Sequence, residues 1–334
     1  MKPTVIDHLI ADIEKSVERH KIDTGCYRRF LWQDEKGSRD LGRNEYGCAD
    51  AANILYTIGK FPGDHEERAA FVKNLREMQD PVTGQYHEKT HHTIHTTAHC
   101  TAALELFDAA PLYPATGFEK YTTKEGLYRL LEEEMPWEKP WTESHRGAGI
   151  FCCLTNTGMV GLEWKNHYFD WMWEHSDPEI GFICYGPKKA EKIRDYMCGG
   201  FHYLFNHEAE HRPLRYPEKI IDFCLMLMAD PMTHGLLGHV RVCNFIDVDV
   251  VYSLSRAMRQ TPHRFYEAKE ALEKYAEAYI DMLEKVDVET DDSYNDLHRL
   301  FGAVCCLAEL QSALPGKILT SRPLRLVLDR RPFI

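Results

Sequence analysis

No run of apolar residues in this chain is long enough to cross a bilayer. The opening Met1-Lys2-Pro3-Thr4-Val5-Ile6-Asp7 lacks the apolar stretch of a secretion signal. Positive charge is short as well: 40 Lys and Arg against 52 Asp and Glu leave a formal net charge of −12. That balance opposes binding to nucleic acid or to an anionic membrane. A disulfide framework is missing too, because the 11 cysteines are an odd number without framework spacing. Cys48, Cys100, Cys152, Cys153, Cys198, Cys305 and Cys306 fall in segments rich in Ala, Gly and Thr, where a thiol serves as a small buried hydrophobe. The expectation is a cytoplasmic protein with reduced thiols, without nucleic-acid or membrane partners. Low-complexity tracts and useful runs of strand-like alternation are also lacking.

What is present is a recurring phrase: an acidic turn followed by a segment of small residues. Asp80-Pro81-Val82-Thr83-Gly84 precedes His95-Thr96-Thr97-Ala98-His99-Cys100-Thr101-Ala102-Ala103. Asp177-Pro178-Glu179-Ile180-Gly181 precedes Met197-Cys198-Gly199-Gly200-Phe201-His202, and Asp230-Pro231-Met232-Thr233-His234-Gly235 precedes Asn244-Phe245-Ile246-Asp247-Val248-Asp249. Looser copies start at Trp32, Trp137 and Asp287. A repeat of about 50 residues marks stacked supersecondary units.

Periodicity around each repeat predicts a pair of helices. The first partner is amphipathic and charged on one face: residues 4–20, 64–79, 123–135, 161–175, 216–229 and 262–285. The second is short of charge, with small residues on several faces, which predicts packing on all sides: 47–59, 93–108, 146–158, 196–206, 244–259 and 295–312. Six charged outer helices and six small-residue inner ones, about twelve main helices, predict an all-α (α/α)6 toroid of six helical hairpins. Residues 1–314 would form this single domain. Residues 315–334, with Arg322, Arg325, Arg330 and Arg331, would form a short tail packed upon it.

The repeat around Met78-Gln79-Asp80-Pro81-Val82-Thr83-Gly84-Gln85-Tyr86 resembles the turn of the α/α-toroid proteins. That grouping holds six-hairpin glycosidases, (α/α)-barrel polysaccharide lyases and sugar epimerases, and the terpenoid cyclase and protein prenyltransferase folds. The resemblance implies an active site in a central funnel, at the N-terminal ends of the inner helices.

The starts of the predicted inner helices are polar. They carry Tyr46 and Asp50; His92, His95 and His99; His145 and Arg146; Tyr196 and His202; Asn244, Asp247 and Asp249; and Asn295, Asp296 and His298. Asn244, Asn295 and Asp296 also suit a capping role. His92, His95 and His99, spaced i, i+3 and i+7, share one helix face. A metal would need a third ligand that the sequence does not identify, so neither metal nor cofactor is expected. His207-Glu208-Ala209-Glu210-His211 matches the zinc-protease pattern, but Arg212-Pro213 places it at a helix end, where the imidazoles do not share a face. Asp247 and Asp249, two apart, point about 200° from each other on a helix, so only one can face a cavity.

A glycoside-bond enzyme needs a carboxylic acid and a partner carboxylate across the sugar. Glycoside hydrolysis is therefore the first expectation, with Asp50 and Asp247 (or Asp249) as the pair. His92, His95, His99, His145, Arg146, His202, Asn244, Asp296 and His298 would bind a small sugar or oligosaccharide, and Trp137 and Trp141 would offer flat faces over the mouth. The alternative is epimerisation or β-elimination, with His95, His99 or His202 and Tyr196 as base and acid and Arg146 neutralising a carboxylate. Terpenoid cyclisation or prenyl transfer would want a greasier funnel. A non-catalytic toroid is the remaining reading.

Overall fold

The computed structural model describes residues 1–239, 241–330 and 333. The protein is all-α in class: 58% of it is helical, and the strands are confined to two two-stranded pairs among the described residues. In chain order the helices are α1 (Asp7–His20), α2 (Glu45–Thr57), α3 (His65–Glu77), α4 (Thr93–Glu105), α5 (Lys124–Arg129), α6 (Pro140–Asn156), α7 (Leu162–Glu174) and α8 (Arg194–Ala209). They continue as α9 (Pro217–Ala229), α10 (Pro231–His234), α11 (Ile246–Met258), α12 (Phe265–Leu283), α13 (Asp292–Asn295), α14 (Leu297–Ala313) and α15 (Val327–Arg330).

Two kinds of helix alternate. On α12 only a stripe is buried, including Leu272, Tyr275, Ala276, Tyr279 and Leu283, because Glu and Lys occupy the other face. On α4, by contrast, every residue from Ile94 to Leu104 is buried, and α2, α6, α8, α11 and α14 are nearly as enclosed. Small residues allow this: a Cβ on Gly199 would lie 2.7 Å from the Pro140 carbonyl oxygen, so α8 and α6 touch backbone to backbone there. These six enclosed helices pack in succession, α2 on α4, α4 on α6, α6 on α8, α8 on α11 and α11 on α14, and α14 packs back on α2.

The recurring acidic turn has one structural job. Asp80 accepts hydrogen bonds from the N–H groups of Val82 and Thr83, and Gly84 follows in the left-handed region. Asp177 with Gly181 repeats the arrangement, and Asp230, through the Thr233 N–H, repeats it with Gly235. Asp287 accepts from Glu289 and Thr290. Each is an Asx-type turn that reverses the chain after an amphipathic helix and returns it towards the start of an enclosed one.

Two helix boundaries and one side chain differ from expectation. Helix α6 begins at Pro140, where a missing N–H costs nothing, so Trp141 lies in its first turn. Trp137 is not a flat face over a mouth: it is buried, donating its indole N–H to the Leu131 carbonyl (2.6 Å) and stacking near Tyr203. The helix predicted over 123–135 changes to π geometry at Leu130–Glu134, where that carbonyl is diverted.

The described part of the tail is bound at several points. β4 (Ile318–Leu319) pairs in parallel with β1 (Thr4–Val5), and a second pair joins β2 (Lys21–Asp23) to β3 (Cys26–Tyr27). Arg322 donates to the Gly59 carbonyl, the Arg325 N–H to Thr57, and Arg330 to Glu105. These acceptors lie at or just past the C-terminal ends of α2 and α4, where unsatisfied carbonyls favour cations. Arg331 lies outside the described residues. One hydrophobic cluster runs from Ile6 to Phe333. No helix of the described residues is long and apolar enough to cross a membrane.

Candidate functional site

A cavity of about 540 Å3 opens where α4, α6 and α14 begin. Its wall holds His91, His92, His95, His145, His202 and His298, with Trp141, Glu143, Phe245, Asp296, Arg29 and Arg299. Capping places several of them. His92 ends the loop before α4 and accepts the Ile94 N–H at Nδ1 (3.1 Å), and Asp296 accepts the His298 N–H at the start of α14.

Behind this wall lies a buried support. Asp50 on α2 is wholly inaccessible and accepts from His99 Nε2 (2.8 Å) and His298 Nδ1 (3.1 Å). Burial works against its carboxylate, but His298 and His99 outweigh it and hold the Asp50 pKa below the usual range. Tyr46 bonds His95 Nδ1 and stacks near His99. Arg29 donates to Asp296 from Nε (2.8 Å) and Nη2 (3.2 Å), a forked pair that occupies both carboxylate oxygens.

Five of the wall imidazoles, His91, His92, His95, His145 and His202, are kept neutral. Burial pushes His145 down to about 2 and His91 and His202 down to about 4, and it lowers His92 and, further, His95. His202 shares a 3.0 Å hydrogen bond with Ser144 Oγ through Nδ1. That contact fixes the ring and leaves Nε2 for the cavity.

Of the residues singled out in the sequence, His92, His95, Trp141, His145, His202, Asp296 and His298 come together on this wall. Asp50 and His99 stand directly behind it. Others point elsewhere. Asp247 accepts from the Tyr275 hydroxyl and the Leu237 N–H (2.8 Å), so it faces α12, and burial raises its pKa to about 6. Asp249 is buried against the Cys198 thiol, its pKa raised by burial. Neither lines the cavity, so neither faces Asp50 across it. Tyr196 accepts the Ala190 N–H at its hydroxyl (2.9 Å), Arg146 is spent on the Glu134 carbonyl and Glu143, and Asn244 caps Ile246. His211 lies past the end of α8 with φ +53°, so it does not share a helix face with His207.

The sequence reading missed Arg29, Glu143, Phe245 and Arg299. His91, next to His92 in the chain, was not singled out either. Among the described residues, two groups bring potential ligand atoms within 4.8 Å of one another: His91, His95 and His298, and Asp50, His99 and His298. A second, polar cavity of about 900 Å3 adjoins the first and shares Arg29, Thr90, Asp296 and Arg299 with it.

The fold and site thus define a helix-rich protein with a histidine-walled cavity. In comparisons with known proteins, no family model matches the chain, and neither a curated protein nor a solved structure does.

Proposed function

We propose that α2, α4, α6, α8, α11 and α14 close into an (α/α)6 toroid, and that its histidine-walled cavity is the active site of a carbohydrate epimerase or lyase. The observation that carries this reading is the wall itself. Six imidazoles line one cavity, while its buried carboxylate, Asp296, is committed to Arg29. A hydrolase working through paired carboxylates is less well supported, because Asp50 and Asp247 are both buried and face different neighbours.

His202 is the proposed base. Being neutral at pH 7, it can accept a proton from the carbon beside a sugar carbonyl or carboxylate, and Ser144 holds its ring. An anionic substrate brought beside it raises its proton affinity. In β-elimination the electron pair left on that carbon forms the new double bond, and the leaving oxygen takes up a proton. In epimerisation a second proton reaches the carbon from its opposite face, supplied by solvent in the open cavity, and His202 releases the proton it removed to solvent. Trp141 offers a sugar-stacking surface, and Arg29 and Arg299 mark the passage into the adjoining polar cavity, which leaves room for a longer chain.

The test is incubation with uronic-acid oligosaccharides and reducing sugars in D2O. Deuterium gained at one carbon, or an unsaturated product absorbing in the ultraviolet, is expected, and His202→Ala abolishes it. A product that has gained water instead, with His202→Ala fully active, overturns the reading.

A further inference from the structure

We propose that His91, His95 and His298 together bind one divalent transition-metal ion of the zinc type, open on its remaining side to the cavity. One ring nitrogen from each lies within 4.8 Å of the other two. Tetrahedral zinc with Zn–N bonds of about 2.0–2.1 Å needs ligand nitrogens about 3.3 Å apart, so a modest inward turn of the rings closes the site.

The stronger observation is what holds the rings. In all three, Nδ1 is already engaged by an oxygen. His91 Nδ1 meets Thr90 Oγ1 at 2.7 Å and Glu88 at 3.5 Å. His95 Nδ1 meets the Tyr46 hydroxyl, and His298 Nδ1 meets Asp50 at 3.1 Å. Metal-bound histidines are oriented in this way, the second nitrogen bonded to a carboxylate or another oxygen so that the first presents its lone pair. Three independent partners therefore leave the same atom, Nε2, on three rings that line one cavity. Nothing else in the structure requires that agreement.

The neighbouring group of Asp50, His99 and His298 is the support, not the site. Asp50 is wholly buried and already bonded to both histidines. An all-imidazole set selects zinc, cobalt, nickel or copper over magnesium or calcium, which prefer oxygen. Three protein ligands with an open position are the pattern of a reactive site, not of a structural one. The sequence hid this because the third ligand, His298, stands about two hundred residues from His91 and His95.

The inference does not depend on which reaction the cavity performs, and its test reads metal, not turnover. The full chain, stripped with a chelator, is dialysed against Zn2+ or Co2+ and analysed for metal content and for the visible absorption of Co2+. One ion per chain is expected, with Co2+ bands of a four- or five-coordinate site. His91→Ala and His298→Ala lose that ion, while Asp50→Asn keeps it with affinity about 10- to 100-fold weaker. Replacement of His87, an exposed histidine outside this wall, leaves binding unchanged. Circular dichroism reports the folding of each variant, and His91, the least buried of the three ligands, keeps the test decisive if His298→Ala fails to fold. A wild-type chain that retains no ion, or a folded His91→Ala that retains one at wild-type affinity, overturns the assignment.

Discussion

Acid should loosen this protein through buried rings with no carboxylate beside them, and the size of the effect can be worked out for one. His207 donates through Nδ1 to the Tyr203 carbonyl (2.9 Å), packs edge-on against Phe169, and is pushed down to about 4 by burial. His202 is displaced equally, for the same reason. A free histidine titrates near 6.5, so below that pH the unfolded chain takes up a proton that the folded chain refuses until about pH 4. The stabilisation is complete above about 6.5 and is lost as pH falls towards 4. It amounts to about 3 kcal/mol per ring at most. Buried carboxyls work the other way: the raised pKa of Asp247 costs stability as pH rises from about 4 to 6. Absolute stability therefore mixes both signs, and a difference measurement isolates one ring. Urea midpoints of wild type and His207→Gln, compared at pH 7 and 4.5, should converge by about 2–3 kcal/mol, because only wild type has the proton to refuse. Parallel curves over that range would refute the reasoning. The same displacement predicts that protonation of His202 places the acid limb of activity near pH 4 in the free enzyme.

Two substitutions test the packing. Gly47→Ala would place a methyl 2.5 Å from the Arg28 carbonyl carbon and 2.6 Å from the Tyr27 oxygen, so the start of α2 must shift; a loss of about 1–3 kcal/mol in thermal or urea unfolding is expected. Glu309→Ala would leave the buried Arg256 guanidinium, now bonded bidentately at 2.9 Å, with Asp329 and the more distant Glu208 (3.9 Å), for a cost of about 3–5 kcal/mol, whereas replacing both partners by apolar residues should cost much less.

The helices were legible because two compositions alternate along the chain. Charged stripes predicted 64–79 and 216–229, and the structure has His65–Glu77 and Pro217–Ala229. Small-residue content predicted 93–108, and the helix is Thr93–Glu105. The site was legible where histidines cluster in sequence and illegible where a partner comes from far away. Arg29 lies in the connection before α2 and means nothing until Asp296 is beside it. Asp247 failed for a different reason. Its place at the start of α11 was read as a view of the cavity, but only the packing of α12, which brings Tyr275 to it, shows which face it occupies. Tyr196 misled similarly: α8 starts two residues earlier, and its cavity residue is His202, nearly two turns along.

The tail also proved more than an appendage, and its position bears on the chemistry. Enclosed helices built on Gly, Ala and Cys leave space between α4, α6 and α8. The chain fills that space with its own Phe333, which is wholly buried against the rings of His95 (5.0 Å) and Phe205 (5.6 Å). A Cβ on Gly149 would lie 3.2 Å from the same phenyl ring, so the inner helix is cut away to admit it. Phe333 thereby backs His95, and the loss of water there is part of what lowers that ring's pKa. Held neutral, His91, His92, His95, His145 and His202 can crowd one wall without repelling one another. Any cation or anion that enters acts on all of them through a poorly screening interior.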